Sequence, residues 1–165
     1  MSFLIGIAII LSQLPVPVID RHEPDRERRL QSIAIAIERA SERATCTGAF
    51  ALETCRPIAS SATRVAAELI VLAAAETDLR RNVHADECGP HECDASRYRV
   101  RGVIHIEHKA RSLWQLHRAP SWSLEKWESL AGLSQEATNA AAWEAAKFMA
   151  GGHGACKTTA GAFAY

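Results

Sequence analysis

The segment SSATRVAAELIVLAAAETDLRR, residues 60–81, places Val65, Leu69 and Leu72 at successive steps of four and three, the period of an amphipathic helix. The next position in that series is Glu76. At 100° per residue it falls within about 40° of all three apolar residues, whereas Asp78 points about 200° away, toward solvent. A carboxylate on a core-facing stripe is costly unless it is paired or hydrogen-bonded. Burial also disfavours the charged form of a carboxyl group, and an acid kept protonated near neutral pH can serve as a general acid. Two readings of Glu76 therefore stand. It is either a catalytic acid or an acid at the end of the core face, paired with Arg80 or Arg111. Periodicity alone favours the structural pair, because such pairs also perturb titration.

Working outward, the upstream stretch RLQSIAIAIERASER (29–43) carries Leu30, Ile33, Ile37 and Ala40 on one helical stripe. Residues 20–29 read as a solvated, charged approach, with Pro24 suited to the opening turn. Residues 45–59, with Gly48, Pro57 and two cysteines, read as a connection. Downstream, residues 82–96 are polar and bend at Gly89-Pro90. The partial alternation from Arg97 to Ile106 predicts one small β-hairpin that places Arg97, Arg99 and Arg101 on a shared face. Helical signals return at 108–117, 123–131 and 134–150, the last opening at Ser134, a good N-cap, and stopping at Gly151-Gly152. The expected class is α+β, predominantly α-helical, in a single domain over residues 20–165.

Composition narrows the function. With 165 residues and 48% hydrophobic content the chain can bury one core of ordinary size. Lys+Arg and Asp+Glu each number 19, and this neutrality argues against a nucleic-acid partner. Residues 1–19 contain no charged side chain. The run Phe3–Leu11 has the length of a signal-peptide apolar core and is too short to span a bilayer comfortably. No Lys or Arg precedes it and no A-x-A site follows, so an apolar arm packed on the domain is the competing reading. Export is the favoured one.

The segment ELIVLAAAETDLR, with Glu76-Thr77, resembles the helix of the lysozyme-like lytic transglycosylases that ends in a Glu-Ser pair. ARSLWQLHRAP resembles the same family's Gly-Leu-(Met/Trp/Phe)-Gln motif, with Ser112, Leu113, Trp114 and Gln115 at the matching positions. The chain ends at GAFAY, where the family has an aromatic-Tyr segment along its saccharide cleft. The resemblance covers roughly residues 60–165. Thr77 for Ser keeps the hydroxyl, and Ser112 for Gly strains the turn if that position has positive φ. The family's Ala-Tyr-Asn motif has only a distant echo in Asn139–Trp143.

This resemblance implies a lysozyme-like domain in the periplasm that cleaves the β-1,4 bond between N-acetylmuramic acid and N-acetylglucosamine in peptidoglycan. It implies Glu76 as the single acid/base, a 1,6-anhydro product, and no cofactor or metal. Thr77, Leu113, Trp114, Gln115 and Tyr165 are the implied substrate contacts. It implies a monomer working on glycan strands, in the service of a cell-envelope assembly or secretion system. Open alternatives are a hydrolysing goose-type muramidase and a domain that binds glycan without cleaving it. The muramidase would draw a second acid from Asp86, Glu87, Glu92, Asp94 or Glu107.

The five cysteines suit an exported chain. Cys88 and Cys93 close a short loop as a disulfide, or hold zinc with His84 and His91. Four ligands so close around a Gly-Pro bend are cramped, so the disulfide is preferred. Cys46 and Cys55 pair likewise, leaving Cys156 alone. Its partner is expected beyond Tyr165, in a longer protein of which this chain is a part. A small Cys/His metal module remains the non-enzymatic alternative. His105-Ile-Glu-His108 lacks the spacing of a zinc-protease helix and reads as two surface histidines.

Overall fold

The computed structural model describes residues 3–150. In chain order the elements are α1 (Phe3–Gln13), α2 (Arg26–Thr45), α3 (Ala62–Thr77), α4 (Arg81–His84), β1 (Ala95–Val100), β2 (Val103–His108), β3 (Ala110–Arg111), β4 (Leu116–His117), α5 (Leu124–Glu128) and α6 (Gln135–Ala150). The class is α+β and mainly helical. Helix α2 is the axis of the core, packing on α6, α3 and α1.

The stripe Leu30, Ile33, Ile37 and Ala40 is buried. Both α2 and α6 bring alanines to the core, Ala34, Ala36, Ala40 and Ala44 from one and Ala141, Ala142, Ala145 and Ala146 from the other. Small side chains let helix axes approach closely. Helix α6 opens as expected at Ser134, whose hydroxyl accepts from the Ala137 N–H at 3.1 Å. Helix α3 starts at Ser61, which caps Arg64 N–H at 3.3 Å.

The apolar start of the chain is helical. Ile7 and Leu11 of α1 are buried against the domain, while Ile5, Ile9 and Ile10 face outward. No helix among the described residues is long and apolar enough to cross a membrane.

Residues 20–29 are a solvated approach only in part: Arg21, His22, Pro24, Asp25, Glu27 and Arg28 are exposed, but Asp20, Glu23 and Arg29 are not. Glu23 takes two hydrogen bonds from the Arg29 guanidinium, each 2.7 Å, and Asp20 lies 3.5 Å from Arg29. All three side chains are at most 5% exposed. Arg29 also donates to the Leu79 carbonyl at 2.8 Å, and Asp20 accepts from the Arg81 N–H at 2.8 Å. This ion cluster ties the chain ahead of α2 to the end of α3. Periodicity could not reveal it, since a buried charge is stable only through partners distant in sequence.

The predicted hairpin forms as β1–β2, in register from Ala95 opposite His108 to Val100 opposite Val103. Arg101 lies in its two-residue turn with Gly102, at φ 48° and 85°, so only Arg97 and Arg99 share a strand face. The helix expected over 108–117 does not form. Ser112 (φ 67°) and Gln115 (φ 44°) are left-handed, a conformation that interrupts any right-handed helix. The segment instead turns back on itself as β3–β4.

Cys46 pairs with Cys55, and Cys88 with Cys93. Disulfides are the habit of an oxidising compartment. Cys156, Tyr165, the GAFAY segment and the Gly151-Gly152 helix stop lie outside the described residues.

Candidate functional site

The site begins where α3 ends. Thr77 is the last helical residue, and Asp78 (φ 51°) and Leu79 (φ 57°) then turn the chain sharply through the left-handed region. Thr77 is 1% exposed. Its hydroxyl donates to the Ala73 carbonyl at 2.8 Å and sits 3.3 Å from the Leu113 carbonyl. The first sequence motif is thereby fastened to the second. One residue earlier, Glu76 emerges at the surface.

The burial expected of Glu76 is therefore corrected. Its angular position is on the core side, but the buried stripe of α3 is centred on Leu69 and Ala73 and is completed at the end by Thr77 rather than Glu76. The expected pairing is absent too. Arg80 donates to the Thr77 carbonyl at 3.1 Å, Arg111 is paired with Asp86, and among the described residues Glu76 forms no ion pair.

The second motif forms the turn between β3 and β4. Ser112 takes a positive φ of 67°, which is costly for a residue with a Cβ, and its hydroxyl accepts from the Trp114 N–H at 3.3 Å. Leu113 is fully buried. Trp114 is 3% exposed, and its indole N–H donates to the Leu69 carbonyl at 3.0 Å. Gln115 accepts from the Asp94 N–H at 3.1 Å and donates to the Ser112 carbonyl at 3.0 Å. The amide of Gln115 thus ties this turn to the loop that follows Cys88–Cys93.

These elements enclose an open pocket of about 780 Å³. Glu76, Trp114 and Gln115 all line it. Leu72 and Phe148 supply apolar surface, and Glu92 and Asp94 stand on the cysteine loop that forms another wall. Such a mostly apolar concavity with a few polar groups is the ordinary form of a ligand site. Thr77 and Leu113 lie behind it, so they shape the wall and do not offer their side chains to a ligand. Among the five expected acids, Glu92 and Asp94 reach the pocket lining; Asp86, Glu87 and Glu107 do not. Asp94 is also 3.4 Å from His117.

A second cluster was missed in the sequence. Asp86 (φ 63°) forms an ion pair with Arg111, whose guanidinium lies 4.4 Å over the Trp127 ring. Its other oxygen is 3.5 Å from His108 Nδ1, which in turn is 3.7 Å from Cys93 Sγ. Burial raises the Asp86 carboxyl above its usual range, against the opposite pull of Arg111 and His108. His108 is not a surface histidine, its side chain being 13% exposed. Nor do His84 and His91 complete the cysteine pair: His84 is buried elsewhere, with Nε2 at 2.9 Å from Thr138, and burial, helped by Arg29 and Arg81, lowers it to about 3. Alternation along strand β2 gave no signal for it, since Val103 to Glu107 are all exposed and only the last residue, His108, is half-buried.

Compared with protein-family models, with curated proteins and with solved structures, the chain shows no match.

Proposed function

We propose that this protein cleaves the glycan strands of peptidoglycan as a lytic transglycosylase, on a lysozyme-like domain, with Glu76 as the single acid/base. The observation that carries the reading is the meeting of two motifs separated in sequence. Glu76 at the end of α3 and Trp114-Gln115 in the β3–β4 turn line one pocket, and the Thr77 hydroxyl lies between their two backbones.

In this reading a glycan strand lies along the pocket with a sugar against Leu72, Trp114 and Phe148. Glu76 protonates the glycosidic oxygen as the bond to the muramic acid ring breaks, and the substrate's own acetamido group stabilises the cationic ring. The resulting carboxylate then takes the proton of the 6-hydroxyl, which closes onto the ring carbon to give the 1,6-anhydro product. The proton acquired there restores the acid. No second carboxylate is needed. Export to the periplasm and work as a monomer beside an envelope assembly or secretion system complete the proposal, and the two disulfides suit that compartment.

One observation favours a second route on the same pocket. Glu92 and Asp94 stand on its wall, where a carboxylate can direct a water molecule and turn the reaction into hydrolysis. The test digests purified sacculi with wild type, Glu76→Gln and Asp94→Asn, and identifies fragments by mass spectrometry. Anhydro ends, lost in Glu76→Gln and kept in Asp94→Asn, support transglycosylation. Reducing ends that vanish with Asp94→Asn indicate the hydrolytic route. Sacculi that bind the protein but stay intact indicate a glycan-binding domain, and full activity in Glu76→Gln refutes the assignment of the acid.

A further inference from the structure

The loop that closes one wall of the pocket carries a second set of chemistry. The ligand atoms of Cys88, Cys93 and His108 lie within 4.8 Å of one another. His108 Nδ1 is 3.7 Å from Cys93 Sγ and 3.5 Å from Asp86 Oδ1. Zinc bonds of about 2.3 Å to sulfur and about 2.0–2.2 Å to nitrogen or oxygen give a tetrahedron with edges of roughly 3.3–3.8 Å. Both measured separations are such edges. They converge on one imidazole nitrogen, from a thiol-bearing loop on one side and a carboxylate on the other; Asp86 lies outside the group of three whose ligand atoms are all within 4.8 Å, so its oxygen must move toward the sulfurs to share the same ion.

We infer that Cys88, Cys93, His108 and Asp86 form a thiol-gated zinc site, closed as a disulfide when oxidised and able to hold one Zn²⁺ when reduced. The exchange balances with two outside components, a dithiol reductant and Zn²⁺. A thiol reductant passes two electrons and two protons to the Cys88–Cys93 bond and itself becomes a disulfide. Zn²⁺ then displaces the two thiol protons, while neutral His108 and ionised Asp86 supply the remaining bonds. Two thiolates and an imidazole select a borderline-soft cation over magnesium or calcium.

The surroundings are built for that charge. Two thiolates, a carboxylate and Zn²⁺ sum to one negative charge, and the Arg111 guanidinium beside Asp86 Oδ2 cancels it. Arg111 is itself held over Trp127. Asp86 therefore keeps one oxygen on Arg111 and turns the other toward His108, as a ligand with an outer partner does. Cys88 is 2% exposed, so the site is shielded on the inner side. Zinc held by the two cysteines with His84 and His91 would be cramped around the Gly89-Pro90 bend. Replacing them with His108 and Asp86, from the strand and from the turn after α4, removes the crowding. Either clasp closes the same loop, so Glu92 and Asp94 are held on the pocket wall in both states. None of this depends on the reaction proposed for Glu76.

The test uses the full chain in two forms, as purified and after reduction with a phosphine, each exposed to Zn²⁺, desalted and assayed for metal. The reduced form should retain one zinc per chain and the oxidised form none. His108→Ala should weaken zinc binding by more than the roughly 10- to 100-fold typical of losing an outer partner of a ligand, Cys88→Ser should abolish it, and Cys46→Ser should leave it unchanged. Cobalt substitution gives an independent reading: tetrahedral d–d bands with sulfur charge transfer in reduced wild type, altered in His108→Ala. That spectrum keeps the inference testable if Cys88→Ser fails to fold. Retention of zinc by His108→Ala at wild-type affinity, or no retention by reduced wild type, overturns it.

Discussion

Lowering the pH from 7 to 5 should destabilise this protein through one residue, His84. Its Nε2 is 2.9 Å from Thr138 Oγ1, and the Thr138 hydroxyl already donates to the Ser134 carbonyl at 2.8 Å. Thr138 can therefore only accept from His84, which fixes the proton on Nε2. Nδ1 is left buried without a hydrogen-bond partner. A second proton would have to enter there, facing no acceptor and with Arg29 and Arg81 nearby. Burial and these two cations lower the imidazole from 6.5 to about 3.

The unfolded chain thus binds one proton more than the folded chain between pH 6.5 and about 3, and stability falls as pH falls through that window. The contribution is fully present above 6.5. At about 1.4 kcal/mol per unit, the loss from pH 7 to pH 5 is about 2 kcal/mol. With a urea slope of about 2 kcal/mol per molar, the midpoint moves by about 1 M. Carboxylates change protonation over part of the same range, so the informative quantity is a difference. His84→Gln keeps an N–H for Thr138 and cannot titrate. Urea unfolding of both proteins at pH 7 and pH 5 should show wild type losing about 2 kcal/mol more than the variant. Equal losses in the two would refute the placement of a neutral, orphaned imidazole in the core.

Two further outcomes follow from buried groups and a third from a disulfide. Arg29→Met leaves the Asp20 and Glu23 carboxylates buried without their cation and should cost about 3–5 kcal/mol, seen as a lowered thermal midpoint; adding Glu23→Gln should recover part of it. Thr77→Val keeps the shape of the side chain but removes the hydroxyl at the Leu113 carbonyl. It should cost about 1–3 kcal/mol in urea unfolding and reduce sacculus digestion. Replacing Cys46 and Cys55 together by Ser opens the short loop after α2 and should cost about 2–3 kcal/mol by the chain-entropy account, measured under non-reducing conditions. A loss below about 0.5 kcal/mol in any of the three would contradict the role given to that group.

How much of this was legible in the sequence depended on whether the controlling interaction was local. Leu30, Ile33, Ile37 and Ala40 were correctly read as buried, and Ser134 as a cap, because both depend on neighbours within a turn or two. The hairpin was legible for the same reason. The helix expected at 108–117 failed although its apolar spacing was adequate, since the left-handed Ser112 and Gln115 are held by contacts from the Asp94 N–H and within the turn itself. The buried cluster of Asp20, Glu23 and Arg29 was invisible, because charged residues near a Pro look solvated until the partners at Leu79 and Arg81 are brought to them.

Glu76 shows the limit most clearly. Its angle on the helix was right, but the angle says nothing of where the helix ends relative to the core. A residue in the last turn of α3 can lie on the apolar side and still open to solvent, because the structure beneath it has stopped. Thr77 next to it makes the opposite case, being polar and yet buried, since its hydroxyl has carbonyls in reach on α3 and in the β3–β4 turn. The two together explain why the helix end is also a pocket edge. The buried hydroxyl fixes the turn that carries Trp114 and Gln115, and the exposed carboxylate is left facing the space that this turn encloses. A substitution at Thr77 should therefore disturb the site through the position of Trp114, whereas one at Glu76 should leave the fold intact and remove only the acid.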